Sequence, residues 1–249
     1  MTSFDPTAYG RDIADLYDDL YPSGGPDIAA AVATIAAASP RDPVLELGIG
    51  TGRMAFPLRD AGLDVHGVEI SPEMVAQLTG RDPEGTLTVH LADMTTFDLG
   101  TTYGAVVCFA DGLYALPTQD LQAQCLVRSA AHLGPGARLF LETTWPGVVQ
   151  KQPTGVPAGV KHLGADSLWL TTAYHKPLSQ VSLYVHSLIG GGQVRTVREL
   201  FRAVWPSELD LMARLAGLRL VERWQDWTGT PVGEDPVRVI SVYQREPPA

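Results

Sequence analysis

The chain has 249 residues, a formal net charge of −10 and 45% hydrophobic content, a length that suits one large α/β domain with an elaboration or two small domains. Its acidity argues against a nucleic-acid partner, whose phosphates call for a basic surface. No apolar run approaches the roughly 20 residues that span a bilayer, and Cys108 and Cys125 lack metal-ligand spacing, so neither a membrane nor a metal is expected. No leader pattern is visible, and the chain is expected in the cytoplasm.

The ends, MTSFDP and REPPA, are expected to fray. Residues 8–21 carry Ile13, Leu16, Tyr17 and Leu20 at helical spacing, and a second helix is predicted over 26–38, stopped by Ser39-Pro40. From there strands and helices alternate. Strands are predicted over 44–47, 65–69, 87–91, 105–110 and 137–142. Helices are predicted over 52–60, from Pro72 with Ser71 as its cap, and over 118–132. This rhythm predicts a parallel sheet covered by helices on both faces. Ligands of such sheets bind at the carboxyl ends of the strands, along a rim holding the glycines, Glu69, Asp93 and Asp111.

The pattern changes after Trp145. Residues 146–159 are rich in proline and glycine and read as a loop. Residues 167–175 and 181–189 alternate with period two and read as a hairpin, with a third antiparallel strand over 194–204. A helix over 206–215 and strands over 218–227 and 237–244 then complete the main sheet. The expected organisation is a helical lid over 1–43, a ligand-binding core over 44–145, an inserted antiparallel region over 146–206, and 207–249 closing the core. The insert carries six basic and two acidic residues, a net +4 against −14 elsewhere, which favours an anionic substrate.

The most informative stretch is VLELGIGTGRMA, residues 44–55. A dinucleotide site wants G-x-G-x-x-G, but Arg53 occupies the third glycine's place and the P-loop Gly-Lys-Ser/Thr is missing. The segment instead reads E-x-G-x-G-T-G, with Glu46, Gly48, Gly50 and Gly52. Together with the acid ending the second strand, Glu69, the LADM element at 91–94 and the CFADGLY element at 108–114, it resembles the class I S-adenosylmethionine-dependent methyltransferases.

That resemblance implies a Rossmann-like fold with a mostly parallel seven-stranded sheet, S-adenosylmethionine as cofactor, and in-line methyl transfer to nitrogen, oxygen or carbon. In the family the glycine loop passes the ribose and methionyl parts, Glu69 would accept from the ribose hydroxyls, and Asp93 from the adenine amino group. Ile70, Met74 and Met94 would supply apolar surface, and Phe109 would sit beside the methionyl portion. Arg53 would face the cofactor carboxylate. Tyr9, Tyr17 and Tyr21 resemble the lid of methyltransferases acting on amino sugars and other natural-product intermediates, and the asparagine- or aspartate-proline-proline-aromatic motif of enzymes that methylate planar amino groups is missing. A small-molecule substrate is therefore expected. The insert resembles a region that pairs subunits, so a homodimer is expected.

Alternation places Leu168, Leu170, Thr172, Tyr174, Val181, Leu183 and Val185 on one face of the hairpin, expected to pack. It places Trp169, Thr171, His175, Tyr184 and His186 on the other, expected to line a substrate pocket or an oligomer interface. His175 and His186, with Tyr17, are the candidate bases. Tyr114 and Trp145 flank strand ends and are expected against substrate, while Lys176, Arg195 and Arg202 are expected to meet an acidic group. A NAD-dependent dehydrogenase and a non-catalytic cofactor-binding protein are the alternatives.

Overall fold

A computed structural model describes residues 5–24, 26–163 and 167–246; residues 1–4 and 247–249 of the ends expected to fray, and Asp166 of the charge count, lie outside it. The chain opens with two short helices, α1 (Ala8–Ile13) and α2 (Tyr17–Leu20), followed by α3 (Pro26–Ala38). The core then runs β1 (Val44–Leu47), α4 (Ala55–Asp60), β2 (Val65–Glu69), α5 (Pro72–Arg81), β3 (Thr88–Leu91), β4 (Tyr103–Cys108), α6 (Gln119–Ala131) and β5 (Leu133–Thr144). The insert contributes α7 (Pro146–Lys151), β6 (Pro157–His162), β7 (Ser167–Lys176), β8 (Val181–Gly190) and β9 (Gln193–Arg202), before α8 (Pro206–Leu215), β10 (Leu218–Trp224) and β11 (Arg238–Arg245).

The main sheet has seven strands in the order β10-β11-β5-β4-β1-β2-β3. All its pairs are parallel except the two that involve β11. β1 and β4 are neighbours although four elements separate them in sequence. Their carboxyl ends therefore flank the switch point where an open α/β sheet leaves a crevice. Every residue of β1 and of β4 is buried, as expected of strands covered on both faces. The four insert strands form a separate antiparallel sheet, β6-β7-β8-β9.

Several boundaries differ from the sequence pattern for local reasons. The helix predicted over 8–21 is broken, because the Asp12 carbonyl accepts from the Arg195 guanidinium instead of from a following helical N–H. Gly52 lies in the left-handed region at φ 87°, so α4 starts at Ala55. Ala110 and Asp111 are left-handed too, at φ 47° and 65°, which ends β4 at Cys108. The stretch 146–159 is not a loop. Pro146 opens α7 in a position that suits its fixed φ, and Pro157 starts the edge strand β6, where a missing N–H is tolerated. The capping of α5 agrees with expectation: Ser71 Oγ accepts from Met74 N at 3.3 Å, with Pro72 in the first turn.

Candidate functional site

The crevice at the ends of β1, β2 and β3 is a cleft of about 260 Å³, close to the small end of ligand pockets. Gly48, Glu69, Ile70, Asp93 and Met94, all expected on the cofactor, line it together with Pro6 from the lid and Leu116 after β4. Gly48 and Gly50 hold φ of 69° and 57°, a conformation that costs glycine little. The loop they make is fixed by Glu69. Its Oε2 accepts from Gly50 N at 3.0 Å, and its Oε1 from Ile70 N at 3.0 Å and Ser71 N at 2.9 Å. Burial pushes the Glu69 carboxyl up, and these three donors oppose the shift. Asp93 Oδ1 accepts from the Thr95 N–H and hydroxyl at 2.7 Å each, which leaves Oδ2 for a ligand.

Glu46 provides an internal test of what the loop is for. Its carboxyl is buried in β1, its Oε2 has no partner among the described residues, and burial pushes its pKa up to about 8. A buried acid without a partner costs free energy unless something supplies a donor. A ligand bearing an ammonium fits that requirement, and S-adenosylmethionine bears one. Arg53 stands close enough to both Glu46 and Tyr17 for its charge to lower them against the effect of burial.

The lid is clasped from two sides. Asp18 accepts from Thr51 Oγ1 and from the Arg81 guanidinium, both at 2.6 Å. Gly10 sits so close to Ser71 that a Cβ there would collide with it. On the cap side Arg195 pairs with Asp15 at 2.8 Å, and Lys161 donates to the Leu20 carbonyl at 3.0 Å while lying over the Tyr21 ring. Tyr9, Tyr17 and Tyr21 thus pack between core and cap, with Met74 on one side and Trp169 and Val197 on the other, and do not line the cleft. Burial pushes the Tyr17 phenol to about 12 and Tyr9 well up, so these hydroxyls keep their protons at neutral pH and act as hydrogen-bond donors.

The face of the cap that holds Trp169, Tyr184 and His186 is the buried one. The face expected to pack is instead the outer one, where Val160, Tyr174, Ile189 and Val194 are exposed. The parity was legible; which side faced the core was not. On the inner face Trp169 and Tyr184 stack on the two sides of His186, with ring centroids 5.0 and 6.2 Å away. His186 shares a hydrogen bond with Thr171 Oγ1 at 3.0 Å, and its Nε2 lies 3.5 Å from Glu199 Oε2. His175 meets Ser182 Oγ at 2.7 Å and has no acidic partner among the described residues.

Five expectations need correction. Phe109 packs into the core against Trp227, 5.3 Å between ring centroids, because it continues the buried face that Val107 starts. Met74 joins Ile13, Leu20 and Trp169 beneath the lid rather than lining the cleft. Tyr114 is fully buried, and its hydroxyl lies 2.9 Å from the Thr144 carbonyl and 3.1 Å from that of Val204, so it ties core to cap. Arg202 is buried and engaged by Gln122 and Glu208. Arg195 and Lys161 are likewise turned to the lid, which removes much of the basic surface that had favoured an anionic substrate. Trp145 is half-buried and meets Trp205 edge-on at 5.3 Å.

One residue, Glu199, escaped the sequence reading, and Asp111 was placed on the rim without a role. Asp111 accepts from the Thr144 hydroxyl at 2.7 Å, and burial pushes it up to about 6. Glu199 occupies the centre of the inner face. Its inward parity beside Arg195, Val197 and Phe201 was a usable signal, but β9 was read only as a strand.

Comparison with known proteins agrees with this geometry. A family profile described as a methyltransferase domain matches residues 44–136. The chain is 30% identical over 189 residues to dTDP-3-amino-3,6-dideoxy-alpha-D-glucopyranose N,N-dimethyltransferase of Streptomyces fradiae, covering 74% of this chain and 72% of that one. It is 26% identical over 246 residues to the cypemycin N-terminal methyltransferase of a Streptomyces species, covering 97% of this chain and 99% of that one. The solved CcbJ methyltransferase from Streptomyces caelestis superposes with a TM-score of 0.89 at 35% identity, over 97% of this chain and 99% of that chain. The dehydrogenase alternative that Glu69 alone left open is thereby set aside, and the chain belongs to the S-adenosylmethionine-dependent methyltransferases, with S-adenosylmethionine as its cofactor.

Proposed function

We propose that this enzyme methylates the nitrogen of a small natural-product intermediate. The observation that carries the reading is the aromatic seam where lid and cap meet, with Tyr9, Tyr17 and Tyr21 packed against Trp169 and Val197. In this reading the tyrosine lid and the aromatic inner face of the cap bound the acceptor's place and keep water from it. The similarity to an amino-sugar N,N-dimethyltransferase and to an N-terminal methyltransferase supports nitrogen as the acceptor over oxygen or carbon.

Bound S-adenosylmethionine supplies a methyl group on a positively charged sulfur. The work left to the chain is positioning. Glu69, Asp93 and the glycine loop hold the nucleoside end, and Glu46 and Arg53 meet the ammonium and carboxylate. The lid tyrosines orient the acceptor for in-line approach. An amine attacks only as its free base, so one bound as an ammonium first gives up a proton to solvent; once neutral it needs little further base catalysis, in keeping with tyrosines that hold their protons. We further read the outer face of the cap, with Val160, Tyr174, Ile189 and Val194 exposed, as the surface through which two subunits pair, and the cytoplasm as the place of action.

The test is turnover of matched panels: amino-deoxy sugars, their hydroxyl parents and short peptides with free amino termini, with methyl gain read by mass spectrometry. Methylation confined to amines is expected. Methylation of the hydroxyl parents would contradict the reading.

A further inference from the structure

The register of the cap places its inner-face side chains in rungs: Thr171, His186 and Val197 in one, and Ala173, Tyr184 and Glu199 in the next. His186 is held on three sides, by the rings of Trp169 and Tyr184 and by the Thr171 hydroxyl. Its Nε2 is buried and has no hydrogen-bond partner among the described residues, yet lies 3.5 Å from the Glu199 carboxylate. Glu199 itself is partly open, and among the described residues no lysine or arginine pairs with it, although the insert is rich in both. Burial pushes up Tyr9, Tyr17 and Tyr21 of the lid, Tyr184 of the cap and Asp111 at the end of β4, and the Glu199 charge adds to the shift of each. One carboxylate therefore stands on the inner face of the cap, beside His186 and in the rung of Tyr184, with no lysine or arginine paired to it among the described residues.

We propose that Glu199 is the group that recognises the substrate's amine, taking an aliphatic ammonium between its carboxylate and the tyrosine rings, with His186 as the positioning residue that holds it. This rests on the amine reading above and names the residue responsible. The chemistry is that of a cation site: an ionised acceptor makes short, strong hydrogen bonds to N–H donors, and aromatic faces attract the same charge. Arg195 and Lys161 hold the lid and Arg202 the cap's base instead of selecting an anion. That leaves the acid as the unpaired charge on the inner face among the described residues.

The experiment uses the full chain loaded with S-adenosylhomocysteine and labelled with 15N-histidine. Cyclohexylammonium, a sugar-sized cation, and cyclohexanol, its neutral counterpart, are titrated in while the His186 imidazole signal is followed. A saturable shift with cyclohexylammonium and none with cyclohexanol is expected. In Glu199→Gln the ammonium should bind about tenfold or more weaker, with S-adenosylhomocysteine affinity unchanged, and Glu199→Asp should recover part of the loss. The proposal is overturned if the wild-type protein shows no preference for the ammonium, a result that does not depend on any variant folding. It is equally overturned if Glu199→Gln binds the ammonium as wild type does. Failure of the amine reading is separate: Glu199-dependent ammonium binding would persist, but no amine in the turnover panel would gain a methyl group.

Discussion

At the scale of single residues, Glu46 links the fold to the cofactor most directly. It sits in the middle of β1, and its carboxyl is raised to about 8 with burial as the main cause. Because the folded value lies above the unfolded one, the free protein should lose stability as pH rises from about 4.5 to about 8, by about 1.4 kcal/mol per pH unit at most. Glu46→Gln should flatten that slope in denaturant titrations at several pH values. A ligand ammonium beside the carboxyl favours its ionised form, so binding should release a proton below pH of about 8. Calorimetric titration of S-adenosylhomocysteine in two buffers of different ionisation enthalpy reads this directly, and a buffer-independent heat would count against Glu46 as the partner. The residues that line the cleft were legible because they end strands, where parity and topology fix direction. Phe109 and Met74 were misplaced for the opposite reason. Each belongs to a face whose partner, Trp227 or the lid, comes from a distant part of the chain.

At the scale of elements, the lid is the part whose function depends on contacts that sequence pattern cannot show. Its apolar spacing reads as one helix, and the break comes from Arg195, 183 residues away. Arg195→Ala should therefore free the lid without unfolding the protein. Amide exchange in residues 8–20 should accelerate, while global stability falls by only about 1 kcal/mol or less, as for other partly exposed ion pairs. Gly10→Val should do more, because the added atoms collide with Ser71 and crowd Met74, lifting α1 from α5. A weaker affinity for S-adenosylhomocysteine is expected from it, and unchanged affinity would mean that the lid does not close the cofactor site. The strand β6 was hidden for a related reason: its prolines and glycines read as loop, and only pairing with β7 makes it a strand.

At the scale of the whole molecule, core and cap are joined through buried polar contacts. The Tyr114 hydroxyl spans Thr144 and Val204, and Gln122 donates to the Arg202 carbonyl at 2.9 Å while Arg202 pairs with Glu208. Tyr114→Phe should cost about 1 kcal/mol in equilibrium unfolding, with S-adenosylhomocysteine affinity little changed, since that hydroxyl serves the joint and not the cleft. The βαβ rhythm made the parallel half of the sheet legible, because right-handed crossovers leave few topologies. The seating of the cap was not legible, since period-two alternation is symmetric between its faces until the core is placed beneath one of them.

The most direct test of the account is calorimetric titration of S-adenosylhomocysteine into the wild-type protein and into Glu69→Ala. The account predicts saturable one-to-one binding, weakened about tenfold or more in a variant whose circular dichroism shows it folded. Equal affinity in the two proteins, or no binding by the folded wild type, would contradict it.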